Sequence, residues 1–243
     1  MLVDPGSSLG GARPKASVLD AKDHLWIAKF PSHSDTNDSG AWEMVLHQLA
    51  HACHIEVPEA KMHRFTGKHH TYLSKRFDRT NEGSRIHFAS AMTLLGHNDG
   101  DDYHDGTSYL ELVAFISKHS PESTADLEQL WRRILFNILV SNTDDHLRNH
   151  GFLLSRTGWR LSPAYDLNPN EYGTGLKLNI SETDNSLEVD LAMEVSGYFK
   201  LKADKANKIR KEMINVVMQW SVVAKKLGLS NNEIDTMKSA FRV

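Results

Sequence analysis

The sequence predicts an α+β fold in two lobes, a small β-rich N-terminal lobe and a larger helical C-terminal lobe. Three observations predict it. Residues 1–80 carry short strand-like runs separated by turn residues and interrupted by one amphipathic helix. Beyond Phe88 the apolar residues recur mostly at helical spacing until the end of the chain. The most apolar of those helices runs straight into a polar stretch, Asn142-Thr143-Asp144-Asp145-His146-Leu147-Arg148-Asn149, with Asp166 following after two short strand-like runs. The expected division is therefore 1–80 for the first lobe and 81–243 for the second.

A chain of 243 residues is long enough for two lobes with a genuine core. A formal net charge of −3 gives no whole-chain argument for binding nucleic acid, and leaves only local patches to consider. The single cysteine, Cys53, excludes an internal disulfide framework and suits a reducing compartment. No apolar run approaches the roughly 20 residues that span a bilayer, and the N-terminus lacks an apolar signal core. A cytoplasmic protein with no membrane partner is the expectation.

Taken in order, Pro5-Gly6-Ser7-Ser8-Leu9-Gly10-Gly11-Ala12-Arg13-Pro14-Lys15 is rich in glycine, which lets backbone N–H groups converge on phosphate oxygens. A disordered leader is the competing reading of the same residues. Ala16–Asp20 and His24–Phe30 read as two strands around a turn at Ala21-Lys22-Asp23, and the second delivers Lys29 late in a strand. Ser39–His54 reads as a helix with Trp42, Val45, Leu46, Leu49, Ala50 and Cys53 on one face and Ser39 as its N-cap. Glu43, early in that helix, is placed to pair with Lys29. His47, His51 and His54 share the polar face; a zinc site is weaker there than a solvated face, because the Glu-containing HExxH form is absent. Met62–Phe65 and Thr71–Phe77 read as further strands, the second leaving the lobe through Lys75-Arg76-Phe77-Asp78-Arg79.

In the second lobe, residues 90–95 and Ser108–His119 read as helices around the Asp- and Gly-rich loop Gly96–Gly106, whose spacing does not match a calcium loop. Leu127, Leu130, Trp131, Ile134, Leu135, Ile138 and Leu139 form the longest apolar stripe. Gly151–Leu154 and Trp159–Leu161 read as a hairpin that carries Asp166 back towards Asp144. Asp204–Leu227 reads as one amphipathic helix ended by Gly228, and 230–241 as a last short helix.

The polar stretch carries the chemistry. Asp144 and Asn149 are five positions apart, and a third oxygen ligand, Asp166, arrives on its own turn. Phosphoryl transfer asks for this set: one carboxylate to take the proton of an attacking hydroxyl, an amide and a second carboxylate to hold magnesium against nucleotide phosphates. Protein kinases use the same five-residue step, although they place their histidine two positions before the aspartate, whereas His146 comes two after Asp144.

With these pieces in this order, the chain resembles the HipA family of bacterial serine/threonine kinases, toxins of HipBA-type toxin–antitoxin pairs. The resemblance is carried by Ser8–Lys15, Ala28-Lys29-Phe30-Pro31, Lys75–Arg79, Asn142–Asn149 and Ala164-Tyr165-Asp166-Leu167, and it accounts for the position of His146. It implies a two-lobed, protein-kinase-like (HipA-like) fold using ATP and Mg2+. Gly10, Gly11, Ala12, Arg13, Pro14 and Lys15 would hold the ATP phosphates, with Lys29 contacting them. Lys75, Arg76 and Phe77 would form the adenine hinge, with Asp78 near the ribose. Asp144 would be the base, His146 a neighbouring site residue, and Asn149 and Asp166 the magnesium ligands. Ser8 matches the loop serine the family autophosphorylates, with Ser7 as an alternative; the added charge would expel the loop from the nucleotide phosphates.

The resemblance further implies a HipB-like antitoxin partner, operator DNA reached through it, and an aminoacyl-tRNA synthetase substrate, glutamyl-tRNA synthetase in the best-known members. One departure stands out. HipA-like kinases carry a substantial region before the glycine loop, and here Met1 lies only a few residues ahead of it. A fragment, a short form, or a split system with a separate chain supplying the missing subdomain are the expectations. Three rival readings follow: an inactive HipA-like module that binds antitoxin, a small-molecule phosphotransferase, and a metal-dependent hydrolase built on the histidine face.

Overall fold

A computed structural model describes residues 2–3, 13–65 and 67–243. Strands β1 (Leu2–Val3), β2 (Lys15–Leu19) and β3 (Leu25–Lys29) come first, then helix α1 (Ser39–Ala52) and strands β4 (Ala60–His63) and β5 (Thr71–Lys75). They form one antiparallel sheet in the order β1-β2-β3-β5-β4. The β2–β3 turn is closed by Asp20, whose carboxylate accepts from the backbone of Lys22 and His24 and from the Trp26 indole. Asp23 supplies the left-handed residue, with φ of 60°.

The sheet buries little of its own: Trp26, Ala28 and Leu73, with Val18 and Phe30 against them. By contrast, Trp42, Val45, Leu46 and Leu49 of α1 belong to the large core that also holds Trp131, Ile134 and Leu135. The apolar stripe read from the sequence is real, but it packs on the helical part of the molecule. The N-cap of α1 is Asp38 rather than Ser39. Asp38 accepts from the Ala41 amide and also binds the backbone and ring of His70, whereas Ser39 is occupied with Asn37 and Arg13. Gly40 permits this, since a Cβ there would meet the His70 carbonyl oxygen at 2.2 Å.

The second part begins with β6 (Phe88–Ser90), α2 (Ala91–Leu95), α3 (Tyr109–His119) and α4 (Ser123–Leu139). Strands β7 (Gly151–Leu154) and β8 (Trp159–Leu161) follow, pairing antiparallel with each other and with β6. The chain closes with α5 (Val189–Glu194), α6 (Ala203–Val217), α7 (Trp220–Lys226) and α8 (Asn231–Met237). Ser108 and Ser230 cap α3 and α8 with full capping boxes through Glu111 and Glu233.

Two expectations shift. The single helix expected over 204–227 is broken at Met218–Gln219 into α6 and α7, so that Trp220 stacks on Phe241 at 4.1 Å and meets Trp42 at 6.2 Å. Strand β4 lies two residues earlier than its apolar residues suggest, because Met62 pairs opposite Tyr72, and Phe65 is left 60% exposed.

Candidate active site

The candidate site has two walls. On the sheet wall, the β2–β3 register sets Lys15 directly opposite Lys29. Like charges facing across a strand pair repel, so the arrangement needs anions nearby. Glu43 of α1 receives the Lys29 ammonium at 2.5 Å and Asp166 receives it at 2.7 Å, with Lys15 3.9 Å from the same aspartate. Burial works against the charge on Lys29, but the two carboxylates outweigh it and push its pKa above the ordinary value. Burial raises Asp166, and the charges of Lys29 and Lys15 more than reverse that, holding it down at about 2. Glu43, buried and facing a second carboxylate, is raised despite Lys29.

The loop wall starts where α4 ends. Ser141 turns the chain with a φ of 48°, and the polar stretch follows. Its two adjacent aspartates part company. Asp144 is exposed; Asp145 is buried and accepts from the Tyr109 hydroxyl at 2.6 Å, Asn137 Nδ2 at 2.8 Å and the His150 ring at 2.8 Å. Burial raises the Asp145 carboxyl, and the His150 imidazole and these hydrogen bonds bring it below the ordinary carboxylate value. Asn149 is buried and donates through Nδ2 to the Asp144 carbonyl at 2.9 Å. That leaves its Oδ1 without a hydrogen-bond donor among the described residues. His146 is half-buried beside Arg148 and keeps its Nδ1 buried without a partner among the described residues.

Asp166 also has a left-handed backbone, with φ of 60°, which a β-branched residue would resist. Its loop is tied to the polar stretch: Asn168 N–H donates to Asn142 Oδ1 at 3.1 Å, and Asn168 Nδ2 to Asp166 Oδ1 at 3.2 Å. Beside Asp144 opens a cavity of about 200 Å³, lined by His146, Arg148, Asp99, Asp101 and Lys177 among others.

The remaining expected residues fall as follows. Gly10, Gly11 and Ala12, with Ser7 and Ser8, lie outside the described residues. Arg13 pairs with Asp35 at 3.0 Å and with the Ser39 hydroxyl. The Pro14 carbonyl accepts from Phe30. Lys75 lies 3.9 Å from Glu59. Arg76 and Arg79 both clamp Asp78, at 2.5 and 2.6 Å. Phe77 packs on Phe88 and on Tyr165, the neighbour of Asp166, with ring centroids 5.8 and 5.6 Å away. Of the histidine face, His47 binds the Pro58 carbonyl while His51 and His54 are exposed.

Sequence reasoning missed Asn137 and Asn168 and gave no role of their own to Asn142 and Asp145 within the polar stretch; these four brace the loop wall. A hint existed for Asn137, a polar residue within the apolar run Ile134–Leu139. The donor chemistry suits magnesium, a hard cation that takes oxygen ligands, since Asp166 is held ionised and Asn149 presents an amide oxygen. Among the described residues no group of three His, Cys, Asp or Glu side chains is placed to hold a metal ion.

A twisted antiparallel sheet joined to a helical lobe, with a sheet lysine held between a helix glutamate and a loop aspartate, has the form of a protein-kinase-like fold. Solved structures agree. The HipA of Shewanella oneidensis MR-1, solved with HipB and its operator DNA, matches with a TM-score of 0.72 over 98% of this chain and 63% of its own, at 20% identity. The proinflammatory kinase CtkA of Helicobacter pylori matches with a TM-score of 0.59 over 93% of this chain and 90% of its own, at 14% identity.

The HipA-like C-terminal domain family matches residues 7–220, and the chain belongs to that family. Among curated relatives, a protein of Haemophilus influenzae named "Putative kinase" is 26% identical over 66% of this chain and 52% of its own length. The serine/threonine-protein kinase toxin HipA of S. oneidensis is 26% identical over 51% of this chain and 33% of its own length. The chain thus spans about half the length, or less, of the curated relatives it matches. No helix among the described residues is long and apolar enough to cross a membrane.

Proposed function

We propose that this chain is an ATP- and magnesium-dependent serine/threonine protein kinase. The observation that carries the reading is Lys29, held between Glu43 and Asp166 across the strand pair from Lys15. Two lysines opposite each other across a strand pair, both reaching Asp166, make a site for a polyanion. Asp166 and Asn149 Oδ1 would hold Mg2+, which when bound neutralises phosphate charge. Lys29 and Lys15 bind and orient the phosphates. Asp144, the exposed member of its pair, accepts the proton of the acceptor hydroxyl presented from the adjoining cavity. Phe77, Phe88 and Tyr165 form an aromatic group where the sheet hands over to the helical lobe, suited to covering a base.

Family membership supports a finer reading. A protein acceptor, namely an aminoacyl-tRNA synthetase with glutamyl-tRNA synthetase as the first to test, is proposed together with modification of Ser8 in the chain's own glycine loop. A HipB-like antitoxin, and operator DNA through it, are the proposed partners. Intact-mass measurement after incubation with magnesium and ATP tests the core of this. The wild type gains a phosphate on Ser8 or Ser7, and Asp144→Ala, which loses the base, is slowed by about 10²–10⁴-fold. Equal phosphate gain in both proteins would refute the role of Asp144. No gain in the wild type, even with synthetase present, would favour a binding module.

A further inference from the structure

Asn142 stands two positions before Asp144, only 1% exposed, and the proposed reaction does not use it. Its hydrogen bonds have one possible sense. The backbone N–H of Asn168 can only donate, so the atom facing it is Asn142 Oδ1. Asn142 Nδ2 then donates to Asn137 Oδ1 at 2.9 Å, which turns Asn137 Nδ2 to the Asp145 carboxylate, an acceptor only. Both amides are thereby oriented by the fixed groups at the two ends. At the near end, Asn168 continues through Nδ2 to Asp166. Parallel ties run from Asn170 N to the Ser141 carbonyl at 3.1 Å and from Asn170 Nδ2 to the Thr143 hydroxyl at 2.8 Å. Ser141 and Asp166, at the roots of the two segments, both have positive φ, a conformation kept only when surroundings over-determine it.

We propose that Asn142 is a positioning residue that sets where Asp166 stands relative to Asp144 and Asn149, by tying the Asp166 turn to the catalytic stretch through Asn168. The proposal rests on the reading of Asp166 and Asn149 as metal ligands. Asparagine fits the task because one short side chain offers an acceptor for a backbone N–H and a donor for a helix amide at once. Alanine offers neither, and leaves two buried polar groups unpaired.

The test uses the full chain, with Mn2+ as the metal probe and ATP as the nucleotide. In Asn142→Ala the Mn2+ affinity of the ATP-loaded protein falls about tenfold, the lower end of the effect of losing a direct outer partner of a metal ligand, because Asn142 acts through Asn168. ATP affinity without metal, set by the lysines, stays unchanged. Asn142→Asp keeps the acceptor for Asn168 N–H but sets a carboxylate oxygen against Asn137 Oδ1, so it recovers only part of the lost affinity.

Hydrogen exchange reads the same tie without any reaction. Exchange at Asn168 N–H rises by about tenfold or more in Asn142→Ala while α4 keeps its wild-type protection. Equal Mn2+ affinity in wild type and Asn142→Ala, or unchanged exchange at Asn168, overturns the proposal. A wild type that binds no Mn2+ with ATP would refute the metal reading instead, and the Asn168 exchange rate then decides alone whether Asn142 joins the two segments.

Discussion

The two walls of the candidate site are held together by different physics. On the sheet wall, Lys15, Lys29, Glu43 and Asp166 are near one another because opposite charges at 2.5–3.9 Å offset the repulsion of like ones. On the loop wall, Asp145 is anchored by three directed hydrogen bonds in the interior, and Asn142 carries that order on to Asp166. A wall of charges can re-pair when a polyanion enters. A wall of directed, buried bonds cannot shift without leaving donors unmet. The first suits binding and the second suits geometry.

The largest expected effect breaks the loop wall. Asp145→Ala removes the acceptor of Tyr109, Asn137 and His150 together, and should cost about 3 kcal/mol of stability or more in denaturant unfolding, because each buried donor left unpaired costs about 1–3 kcal/mol. A loss as small as a surface substitution gives would mean that these bonds do not brace the fold.

Next, Lys29→Gln probes the sheet wall. A hydrogen bond to a charged group contributes about 1.5–3 kcal/mol, so ATP affinity should fall about 10–100-fold by calorimetry. The effect should shrink as sodium chloride rises from about 0.05 to 0.5 M, because screening weakens what the lysine contributes in the wild type. Salt-independent binding would remove the charge-based account of this wall.

Acid separates the walls more gently. The folded pKa of Asp145 lies below its unfolded value of about 3.9, so its stabilisation is complete above that pH and is lost as pH falls through the folded pKa. Wild type should therefore lose stability below about pH 4 more steeply than Asp145→Asn, which has no proton to take up. Parallel acid profiles would contradict the assignment. The smallest effect concerns Cys53, remote from both walls: 2% exposed and with its thiol pushed up to about 12 mainly by burial, it should resist alkylation at pH 8 until the chain unfolds.

The difference between the walls also explains what could be read from the chain. Lys29 late in a strand, Glu43 early in a helix, and the Asp144–Asn149–Asp166 spacing are local patterns whose chemistry is carried by residue type, and the structure brings Lys29, Glu43 and Asp166 together. The bracing of the loop wall was not legible, because Tyr109, Asn137 and Asn168 become neighbours of the polar stretch only after α3, α4 and the Asp166 turn have packed. Residue type does not separate Asp144 from Asp145; the five-residue step to Asn149 points to Asp144, and the structure leaves Asp144 exposed while burying Asp145. The α6–α7 break was hidden for a similar reason. The apolar period continues through Met218–Gln219, and the cause of the break lies on α1 and at Phe241. Helix α1 was recognised as amphipathic, while the surface it covers is set by tertiary packing rather than by its position in the chain.

Paired calorimetric titration of ATP, with and without magnesium, into the wild type and Asp166→Asn tests the central claim most directly. The account predicts that magnesium tightens ATP binding to the wild type and leaves binding to Asp166→Asn unchanged. Equal tightening in both proteins, or no ATP binding by the wild type at all, would contradict it.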